Sequence, residues 1–462
     1  MSTFSFSQLN MYLEEVMPAL LNSLQGTDYH YLKIAQHALV YHHQGNNSKI
    51  LANRLLQSIW KQKLIYKLKS VKNKPLPPPT LKKSILFDSG RVFKDPEGNS
   101  VSVYFKAFLE AGKKENYTHL IVPNGNHNAP CDLHLKDHPH LASLPLDDAE
   151  IRLLKDVQAT LNRIRKNKAL PEGSFDQISS AFHRFFEEFH YYFQLLQSQG
   201  IEQVFATNHY HQEGLIAACR ILKIKFIEIQ HGLISLNDLY YVYDQKLLPK
   251  SDLKQAFFPD LILLYGTFWK DLLKKGGEHR DSEMKVLGDY VYKHKSIDGY
   301  RKTKENKIFI GAQKNMSKSY LAYINTLLKS MEKHPEWKLI LKLHPLEKHP
   351  DHYNEIKHPQ LEIHWNDSDL LQLLSRSKIQ ISVYSTTLFD ALGLDVQNYS
   401  LQNYTDYKDY AKEMIDIGIA LPLDFDEDPI QKFLSSERNN ELRREDVYAP
   451  IDESLLKQLI NQ

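Results

Sequence analysis

Two stretches of the sequence place polar side chains where a predicted buried strand ends. WKLILKLHP is an apolar strand pattern that stops at His344-Pro345, and IQISVYSTT is a second one that breaks into Ser385, Thr386 and Thr387 before an amphipathic helix. A histidine can donate to a phosphate oxygen or to a leaving group's charge, and hydroxyl and backbone N–H groups at a helix start suit phosphate. Both strand ends are therefore predicted to face one crevice, where open α/β sheets bind ligands.

Each of these residues also has an ordinary structural explanation. The Ser385–Thr387 cluster could simply cap the helix that follows, and His344 could be a strand-ending histidine satisfied by the backbone. Lys342 lies two residues before His344 and on the same strand face, so it is either a positive charge in the crevice or a surface lysine. The sequence leaves both interpretations open.

The elements around these residues alternate between strand and helix. Strand patterns occur at Lys307–Gln313, in the KLHP stretch, at Leu361–Trp365, at Ile379–Val383 and at Val396–Leu401. Helix patterns occur at Tyr320–Lys333, after Asp367 and after Thr387, and a mixed segment leads to two terminal helices, the last at Asp452–Ile460. This alternation predicts a doubly wound parallel sheet.

The preceding part of the chain shows a similar alternation with less regular spacing. Its strand patterns are Ser84–Asp88, Ser100–Phe105, Thr118–Asn126, Ile201–Asn208, Lys225–Gly232, Asp260–Gly266 and Lys285–Asp289. Its helix patterns are Asp147–Asn167, Phe175–Gln197, a stretch from about His211 to Leu222, and one through Trp269 and Leu273. The predicted fold class is α/β, with two doubly wound Rossmann-like domains and a helical N-terminal addition.

Changes in composition along the 462 residues predict the domain boundaries. We expect a helical segment over 1–74, a proline-rich connector, a first Rossmann-like domain over 82–291, a polar linker at Tyr292–Asn306, a second domain over 307–435, and C-terminal helices over 436–462. The helical segment ends in a lysine-rich run, Trp60–Lys74. This run is either a membrane-surface helix attracted to anionic lipid or the solvated face of a packed helix.

The composition argues against several classes of protein. The 58 basic and 56 acidic side chains nearly cancel, so no nucleic-acid partner is predicted. Cys131 and Cys219 form no pair motif, which favours a reducing compartment. The first residues do not resemble a signal peptide, and no window reaches the roughly 20 apolar residues of a membrane span. We therefore expect a cytoplasmic protein that can rest peripherally on a membrane.

The motifs EIQHG, YG, GAQ, KLHP and SVYSTTLFDALG, in this order and spacing, resemble the GT-B-type transferases of bacterial capsule and surface polysaccharide synthesis. The pattern is most similar to capsular sialyltransferases and polysialyltransferases, and next to CDP-glycerol glycerophosphotransferases. The resemblance covers about Ile201 to Leu401. It implies a GT-B enzyme that reacts across a cleft, with the acceptor on the first domain and a nucleotide-linked donor on the second.

The resemblance also implies which residues bind the donor. They lie at strand ends of the second domain and are Lys342, His344, Pro345, Ser385, Thr386, Thr387, Gly311 and Gln313. Asp390 stands where relatives often carry a glutamate that grips the ribose or base. His344 is in addition implied to stabilise the leaving phosphate.

The catalytic base is implied to come from the first domain. An inverting transfer needs a carboxylate or imidazole within hydrogen-bond reach of the acceptor hydroxyl. Capsular sialyltransferases carry an acidic pair followed by glycine that includes this base, and the nearest match here is Gln212-Glu213-Gly214. Glu213 is therefore implied as the base, although a glutamate in a first helical turn is also ordinary helix chemistry. The alternatives are His209, His211 and His231, and the cleft on this side is expected to include His209, Gln230, His231 and Gly232.

A cluster of metal-ligand residue types lies between Asn126 and His140. It contains His127, Cys131, His134, His138 and His140, which could be read as a structural zinc site. A single cysteine and the lack of a repeated spacing favour an acceptor-binding loop instead. Asp367 and Asp369 are interpreted as helix caps. We therefore expect a transfer without metal or cofactor, in which cations of the protein neutralise the leaving phosphate.

These features together predict an inverting, metal-independent glycosyltransferase. CMP-sialic acid or CMP-Kdo is slightly favoured over UDP- and GDP-sugars as donor, and the acceptor is a glycan or lipid-linked glycan of a capsule or lipopolysaccharide. Three alternatives remain: a CDP-polyol phosphotransferase, a UDP-sugar 2-epimerase, which would need several carboxylates in the cleft, and a non-catalytic partner of a capsule complex.

Overall fold

The computed structural model describes residues 83–94, 99–112, 117–121, 132–134, 174–238, 240–242, 258–276, 279–289, 297–300, 304–313, 316–344, 351–365, 369–402, 408–435 and 442–461, and single residues at 152, 155, 159 and 162. The predicted N-terminal helices, the lysine-rich run, the proline connector, Pro345 and most of the histidine-containing loop lie outside these residues. The four single residues are helical and fall within the predicted helix Asp147–Asn167.

Among the described residues, nine strands precede Asp289. They are β1 (Ser84–Asp88), β2 (Val92–Lys94), β3 (Ser100–Ser102), β4 (Tyr117–Ile121), β5 (Leu133–His134), β6 (Gln203–Ala206), β7 (Lys225–Ile229), β8 (Leu261–Leu264) and β9 (Met284–Val286). Seven of them form a sheet in the order β5-β4-β1-β6-β7-β8-β9, in which every neighbouring pair is parallel. The helices here are α1 (Lys106–Ala111), α2 (Ser174–Gln199), α3 (Glu213–Leu222) and α4 (Thr267–Lys275), with a 3₁₀ turn at Asp281–Glu283.

Six strands form the second sheet. They are β10 (Lys307–Gly311), β11 (Lys338–Lys342), β12 (Leu361–His364), β13 (Ile379–Ser382), β14 (Gln397–Leu401) and β15 (Leu421–Leu423). Their order is β12-β11-β10-β13-β14-β15, again with parallel neighbours. The helices are α5 (Ser317–Met331), α6 (Asp351–Asn354), α7 (Leu370–Arg376), α8 (Thr386–Asp390), α9 (Lys408–Asp416) and α10 (Pro429–Ser435), with a 3₁₀ turn at Ile297–Tyr300 before the sheet.

In both sheets the strand order reverses beside the first strand, which is the doubly wound Rossmann-like arrangement. The predicted fold class, α/β with two Rossmann-like domains as in GT-B proteins, is therefore confirmed. The central strands are buried on both faces, as β1 and β10 show along their full lengths. The reversal points lie between β1 and β6 and between β10 and β13.

Among the segments that differ from their predicted structure are β3 and the stretch after Leu401. The predicted strand Ser100–Phe105 ends at Ser102, which pairs in an antiparallel hairpin with β2. The hydroxyl of Ser102 accepts the N–H of Phe105 at 3.1 Å, and this bond turns the chain into α1. The mixed segment after Leu401 contains β15, which the sequence did not predict. Pro422 is tolerated there because β15 is an edge strand.

The C-terminal helices α11 (Arg444–Val447) and α12 (Glu453–Asn461) return to the first domain. The Val447 carbonyl accepts the indole N–H of Trp269 at 3.0 Å. Further along, the Ala449 N–H donates to the Tyr265 carbonyl at 2.8 Å. The chain therefore builds the second domain and then packs its last residues on the first.

Gly266 permits this close packing. A Cβ atom at Gly266 would lie 2.2 Å from the Asp446 carbonyl oxygen and 2.6 Å from that of Val447. Backbone atoms cannot rotate away, so Gly266→Ala is expected to lower the free energy of unfolding by roughly 1–3 kcal/mol. Denaturant unfolding measures this change. Gly232→Ala is the control, because a Cβ there meets nothing within 4 Å. Equal stability of the two variants would contradict the packing described here.

The two domains also contact each other beside the cleft. Phe389 of α8 packs on Trp269 of α4, with ring centroids 4.9 Å apart. Glu413 of α9 reaches into the first domain, where its carboxylate accepts the hydroxyl of Ser235 and the N–H of Leu236, the latter at 2.6 Å. The loop after β7 is therefore hydrogen-bonded to the second domain.

Candidate active site between the two domains

A cavity of about 710 Å³ lies between the two sheets, at the carboxyl ends of their strands. Its first-domain wall includes Arg91, Tyr104, His231, Gly232, Tyr265 and Asp289. Its second-domain wall includes Gly311, Gln313, Lys342, His344, Asp369, Tyr384, Ser385, Thr386, Thr387 and Asp390. Open α/β sheets bind ligands at this edge, beside the point where the strand order reverses.

Ten of the residues singled out from the sequence line this cavity. They are Gly311, Gln313, Lys342, His344, Ser385, Thr386, Thr387, Asp390, His231 and Gly232. The structure places Glu213, His209 and Gln230 outside the lining, and Pro345 is outside the described residues.

Gln313 joins the two strand ends of the second-domain wall. Its Oε1 accepts the hydroxyl of Tyr320 at 3.0 Å and the N–H of Tyr384 at 3.4 Å. Its Nε2 donates to the Tyr384 carbonyl. The loop after β10 and the loop after β13 are thus held together by one amide side chain.

The serine and threonine turn before α8 is internally hydrogen-bonded. Ser385 Oγ accepts the N–H of Thr387 at 3.3 Å and its hydroxyl at 3.0 Å, and Gln380 Nε2 donates to Thr387 Oγ1 at 2.7 Å. Ser385 is therefore the helix cap that the simpler interpretation predicted. Thr386 is the exposed member of the three. Gly311 allows the turn to lie close to the end of β10, since a Cβ at this position would lie 3.2 Å from Thr387 Oγ1. Because α8 has only five residues, its dipole is smaller than the sequence suggested.

Two basic side chains follow β11 on the same wall. Lys342 and His344 are both partly exposed and both line the cavity. Lys342 Nζ donates to the Trp365 carbonyl at 3.3 Å, which holds the ammonium group beside the cavity while leaving it partly solvated. An ammonium group and an imidazole therefore lie together after β11 on the second-domain wall.

Two carboxylates of this wall already have protein partners. Asp390 is 5% exposed, and its Oδ1 accepts the hydroxyl of Tyr448 at 3.2 Å. Asp369 caps α7, as the sequence predicted, by accepting the N–H of Leu371 at 2.9 Å, and it also accepts the hydroxyl of Tyr300 at 2.6 Å. The hydrogen bonds of these two carboxylates therefore help to hold the wall in its conformation.

His231 lies on the first-domain wall with its ring nitrogens directed into the protein. Its Nε2 shares a hydrogen bond of 2.8 Å with the Tyr210 hydroxyl, and its Nδ1 is buried. Burial lowers the pKa of His231, so the imidazole is neutral near pH 7. Gln230 supports this loop by accepting the Tyr265 N–H and donating to the Gly232 carbonyl, each at 2.9 Å.

His209 is part of a buried network behind this wall. It is 1% exposed, and its Nε2 donates to the Tyr240 carbonyl at 2.7 Å. Its Nδ1 contacts Glu228, which also accepts the hydroxyl of Tyr241 at 2.6 Å. The ring is thereby enclosed and does not reach the cavity.

Glu213 is buried and lies outside the cavity lining. It is 5% exposed in the first turn of α3, where its Oε1 accepts the N–H of His211 at 3.2 Å. The neighbouring Gly214 packs so closely on α2 that a Cβ would lie 2.6 Å from the Cβ of Glu188. This contact shows that the first turn of α3 packs directly on α2. Its implied role as catalytic base stays a prediction, and in this structure the Glu213 carboxylate lies outside the cavity lining.

Glu188 of α2 lies beside Gly214, and its carboxyl group makes the stability of the fold depend on pH. Burial raises the pKa of Glu188 to about 8, opposed by Arg184 and reinforced by Glu213. Its Oε2 is buried with no hydrogen-bond partner among the described residues. The folded state holds this proton more tightly than the unfolded state, in which the pKa is near 4.5, so stability should fall as pH rises from about 4.5 to about 8.

We therefore expect Glu188→Gln to flatten the pH dependence of the melting temperature over this window and to raise the melting temperature at pH 8. Thermal unfolding measured from pH 5 to pH 9, on the order of one pH unit apart, tests this. Glu187→Gln removes the same charge one residue away and is the control. Identical pH profiles for the two variants would contradict the assignment.

Sequence reasoning missed several residues of the cavity, including the following four. Asp289, 3% exposed, lies three residues after β9, and Arg91 and Tyr104 come from the turns around the β2–β3 hairpin. Tyr448 comes from the returning C-terminal segment. Of these four, only Asp289 could have been predicted from the sequence, because it ends a predicted strand as the other site residues do.

A search of protein-family models gives no match, and a search of curated proteins gives none either. Among solved structures, the chain is similar to the UDP-GlcNAc 2-epimerase from Methanocaldococcus jannaschii, with 10% identity, coverage of 83% of this chain and 100% of that chain, and a TM-score of 0.46. It is also similar to S. aureus MnaA solved with UDP, with 12% identity, 82% and 95% coverage and a TM-score of 0.46. A third is the spinosyn rhamnosyltransferase SpnG with thymidine diphosphate, at 12% identity, 77% and 92% coverage and a TM-score of 0.43. At this level of similarity these structures do not indicate a substrate for this chain, and the fold follows from its own strand order.

Two searches of the described residues returned nothing. No group of three or more His, Cys, Asp or Glu side chains among them could hold a metal ion. None of the helices in the described part of the chain has the length and apolar character to cross a membrane.

Proposed function

We propose that this protein is a GT-B-type glycosyltransferase that binds a nucleotide sugar in the cavity between its domains. The observation that carries the proposal is which side chains stand on the two walls, although Arg91 adds a cation to the first wall and Asp369 and Asp390 add carboxylates to the second. The second-domain wall brings Lys342, His344 and Thr386 together, whereas the first-domain wall presents the carboxylate of Asp289. A cationic, hydroxyl-bearing wall suits a phosphate leaving group, and a carboxylate opposite it suits an acceptor hydroxyl.

The proposed reaction is a single displacement with inversion. The acceptor hydroxyl attacks the anomeric carbon from the first-domain side, and its proton passes to Asp289. The bond from the anomeric carbon to the phosphate oxygen breaks on the second-domain side, where Lys342 and His344 stabilise the departing charge. Attack and departure on opposite faces of the sugar invert the configuration. His231 holds the wall in shape, since its ring nitrogens point inward.

The donor and acceptor follow from the sequence resemblance and are part of the proposal. A CMP-linked sialic acid or Kdo is favoured slightly over UDP- and GDP-sugars, and the acceptor is a capsule or lipopolysaccharide glycan. Reaction at the cytoplasmic face of the membrane, with the lysine-rich run Trp60–Lys74 as a contact to anionic lipid, would bring the enzyme to a lipid-linked acceptor.

Mass spectrometry of the products tests the proposal. The purified protein is incubated with CMP-sialic acid, CMP-Kdo, UDP- and GDP-sugars or CDP-glycerol, together with cell-envelope glycan, with and without EDTA. A new glycosidic product and the matching free nucleotide, unaffected by EDTA, would support it. A phosphodiester product would identify a polyol-phosphate transferase, and no product with any donor would favour the non-catalytic alternative.

One observation favours a nucleotide-sugar 2-epimerase as a second candidate. The sequence did not reveal several cleft carboxylates, but the structure places Asp289, Asp369 and Asp390 in the cavity lining. Acid and base groups on both sides of a bound sugar are what a proton transfer at a ring carbon requires. The two functions separate when the UDP-sugar is incubated with the protein without an acceptor: an epimerase converts it to an isomer of equal mass, which NMR of the sugar detects and mass spectrometry does not.

A further inference from the structure

The C-terminal segment 444–449 is hydrogen-bonded to both walls of the cavity. On the second-domain side, the Tyr448 hydroxyl donates to Asp390 Oδ1 at 3.2 Å. On the first-domain side, the carbonyl of Ala449 accepts the Asp289 N–H at 2.9 Å. Tyr448, Asp390 and Asp289 all line the cavity. A short stretch from the far end of the chain therefore contacts two acidic residues that stand on opposite walls.

Arg444 fixes the backbone that carries Asp390. Its Nη1 donates to the Asp390 carbonyl at 2.9 Å and to the Leu392 carbonyl at 3.0 Å. These carbonyls lie at and just after the end of α8, where a helix leaves its last carbonyl groups without intrahelical partners. Hydrogen bonds from a charged donor are stronger than those between neutral groups. The main chain of Asp390 is therefore held by the same segment that contacts its side chain.

The ring of Tyr448 is itself held in place. The guanidinium of Arg444 lies over the ring, with Cζ 5.3 Å from its centroid. The ring of Tyr265 lies on the first domain with its centroid 6.0 Å away, and the Tyr265 carbonyl accepts the N–H of Ala449 at 2.8 Å. The phenol hydroxyl is therefore presented to Asp390 from a fixed position. Such preorganisation limits the entropy lost when a ligand binds the carboxylate.

Asp390 stands one helical turn from the proposed phosphate contact. It is the last residue of α8, and Thr386 is the first. Residues four apart lie on the same face of a helix and are separated by about 6 Å along its axis. This separation is comparable with the distance between the phosphate and the ribose hydroxyls of one nucleotide. A carboxylate at this position of the cavity lining suits a ribose hydroxyl as its hydrogen-bond donor.

We propose that Tyr448 is a positioning residue, which orients the Asp390 carboxylate toward the ribose of the nucleotide, so that the C-terminal segment completes the donor site. The inference rests on the proposed function. Without the Tyr448 hydroxyl, the carboxylate can adopt other rotamers and must be ordered when the nucleotide binds. Tyr448 acts through Asp390, so the loss of its hydroxyl should weaken ribose binding only while the carboxylate is present.

Calorimetric titration with CMP, CDP, UDP and GDP, and with the 2′-deoxy and 3′-deoxy form of each, tests this proposal. Wild-type protein should bind its best ribonucleotide roughly tenfold more tightly than at least one deoxy form. Tyr448→Phe should reduce that preference to less than about threefold and leave the affinity for the deoxy form unchanged. Asp390→Ala should abolish the preference, and adding Tyr448→Phe to it should cause no further loss.

Tyr241→Phe is the matched control. It removes another hydrogen bond from a phenol to a buried carboxylate, that of Tyr241 to Glu228 at 2.6 Å, but neither residue lines the cavity. The preference for the ribonucleotide should therefore be the same in Tyr241→Phe as in the wild type.

Four results would overturn the proposal. They are no ribose preference in the wild type, a wild-type preference retained by Tyr448→Phe, an equal loss of affinity for ribonucleotide and deoxy form in Tyr448→Phe, which indicates a merely structural role, and a further loss in the double variant, which would place Tyr448 on the ligand itself. In each of these cases the wild type still binds a nucleotide and the proposed function stands. Failure of the wild type to bind any of the four nucleotides would contradict the proposed function and this inference together.

Discussion

Asp289→Asn is expected to reduce kcat/KM for sugar transfer by roughly a hundred- to ten-thousand-fold while leaving nucleotide affinity unchanged. Asparagine keeps the shape of the side chain but cannot accept the proton of the acceptor hydroxyl. Asp289 is 3% exposed, follows β9, and belongs to the wall opposite the cationic groups. A group in that position acts on the acceptor, so its loss should slow turnover without loosening the donor.

Initial rates over a pH series measure this effect. In the wild type the rate should fall at low pH as the base becomes protonated, and this acidic limb should vanish in the variant. Glu213→Gln is the matched control, because it alters the carboxylate that the sequence resemblance implies but that is buried outside the cavity lining. Lost turnover in Glu213→Gln together with full turnover in Asp289→Asn would reverse the assignment.

His344→Ala is expected to weaken nucleotide binding by roughly ten- to a hundredfold and to lower kcat as well. A hydrogen bond to a charged group contributes about 1.5–3 kcal/mol, and the same donor should strengthen its interaction as charge develops on the leaving phosphate. His364→Ala is a suitable control, since His364 ends the neighbouring strand β12 but does not line the cavity.

Calorimetric titration of both variants with the best nucleotide and with its nucleoside measures the change. The loss in His344→Ala should appear with the nucleotide and not with the nucleoside, because the imidazole acts on phosphate. An equal loss with both ligands would place His344 at the base or ribose instead, and no loss with either would remove it from the site.

The fold could be predicted because its signals are local. Leu339 and Leu341 on one strand and Ile379 and Ile381 on another are all fully buried, as an uninterrupted apolar run between helices indicates for a parallel sheet. The polar residues that end such runs, His344 among them, were placed at the cavity for the same reason. Parallel strands begin at one edge of a sheet and end at the other. A residue that follows a strand in the sequence can therefore be placed at that second edge before the structure is known.

The first-domain half of the site depends on tertiary contacts, which a short stretch of sequence does not show. Glu213 could point either way from its helix, and only the folded structure shows that it is buried outside the cavity lining. Arg91 follows a turn whose shape depends on Asp88, and Tyr448 comes back from the far end of the chain. Contacts of these kinds are set by tertiary packing, which the periodicity of apolar residues in the sequence does not predict.

The most direct test of the central claim is isothermal titration of the wild-type protein with CMP, CDP, UDP and GDP and with their nucleosides, in the presence and absence of EDTA. We predict saturable binding of one nucleotide, at least roughly tenfold weaker binding of its nucleoside, and no effect of EDTA. Absence of binding by all four nucleotides, or equal binding of nucleotide and nucleoside, would contradict a phosphate-binding cleft between the two domains.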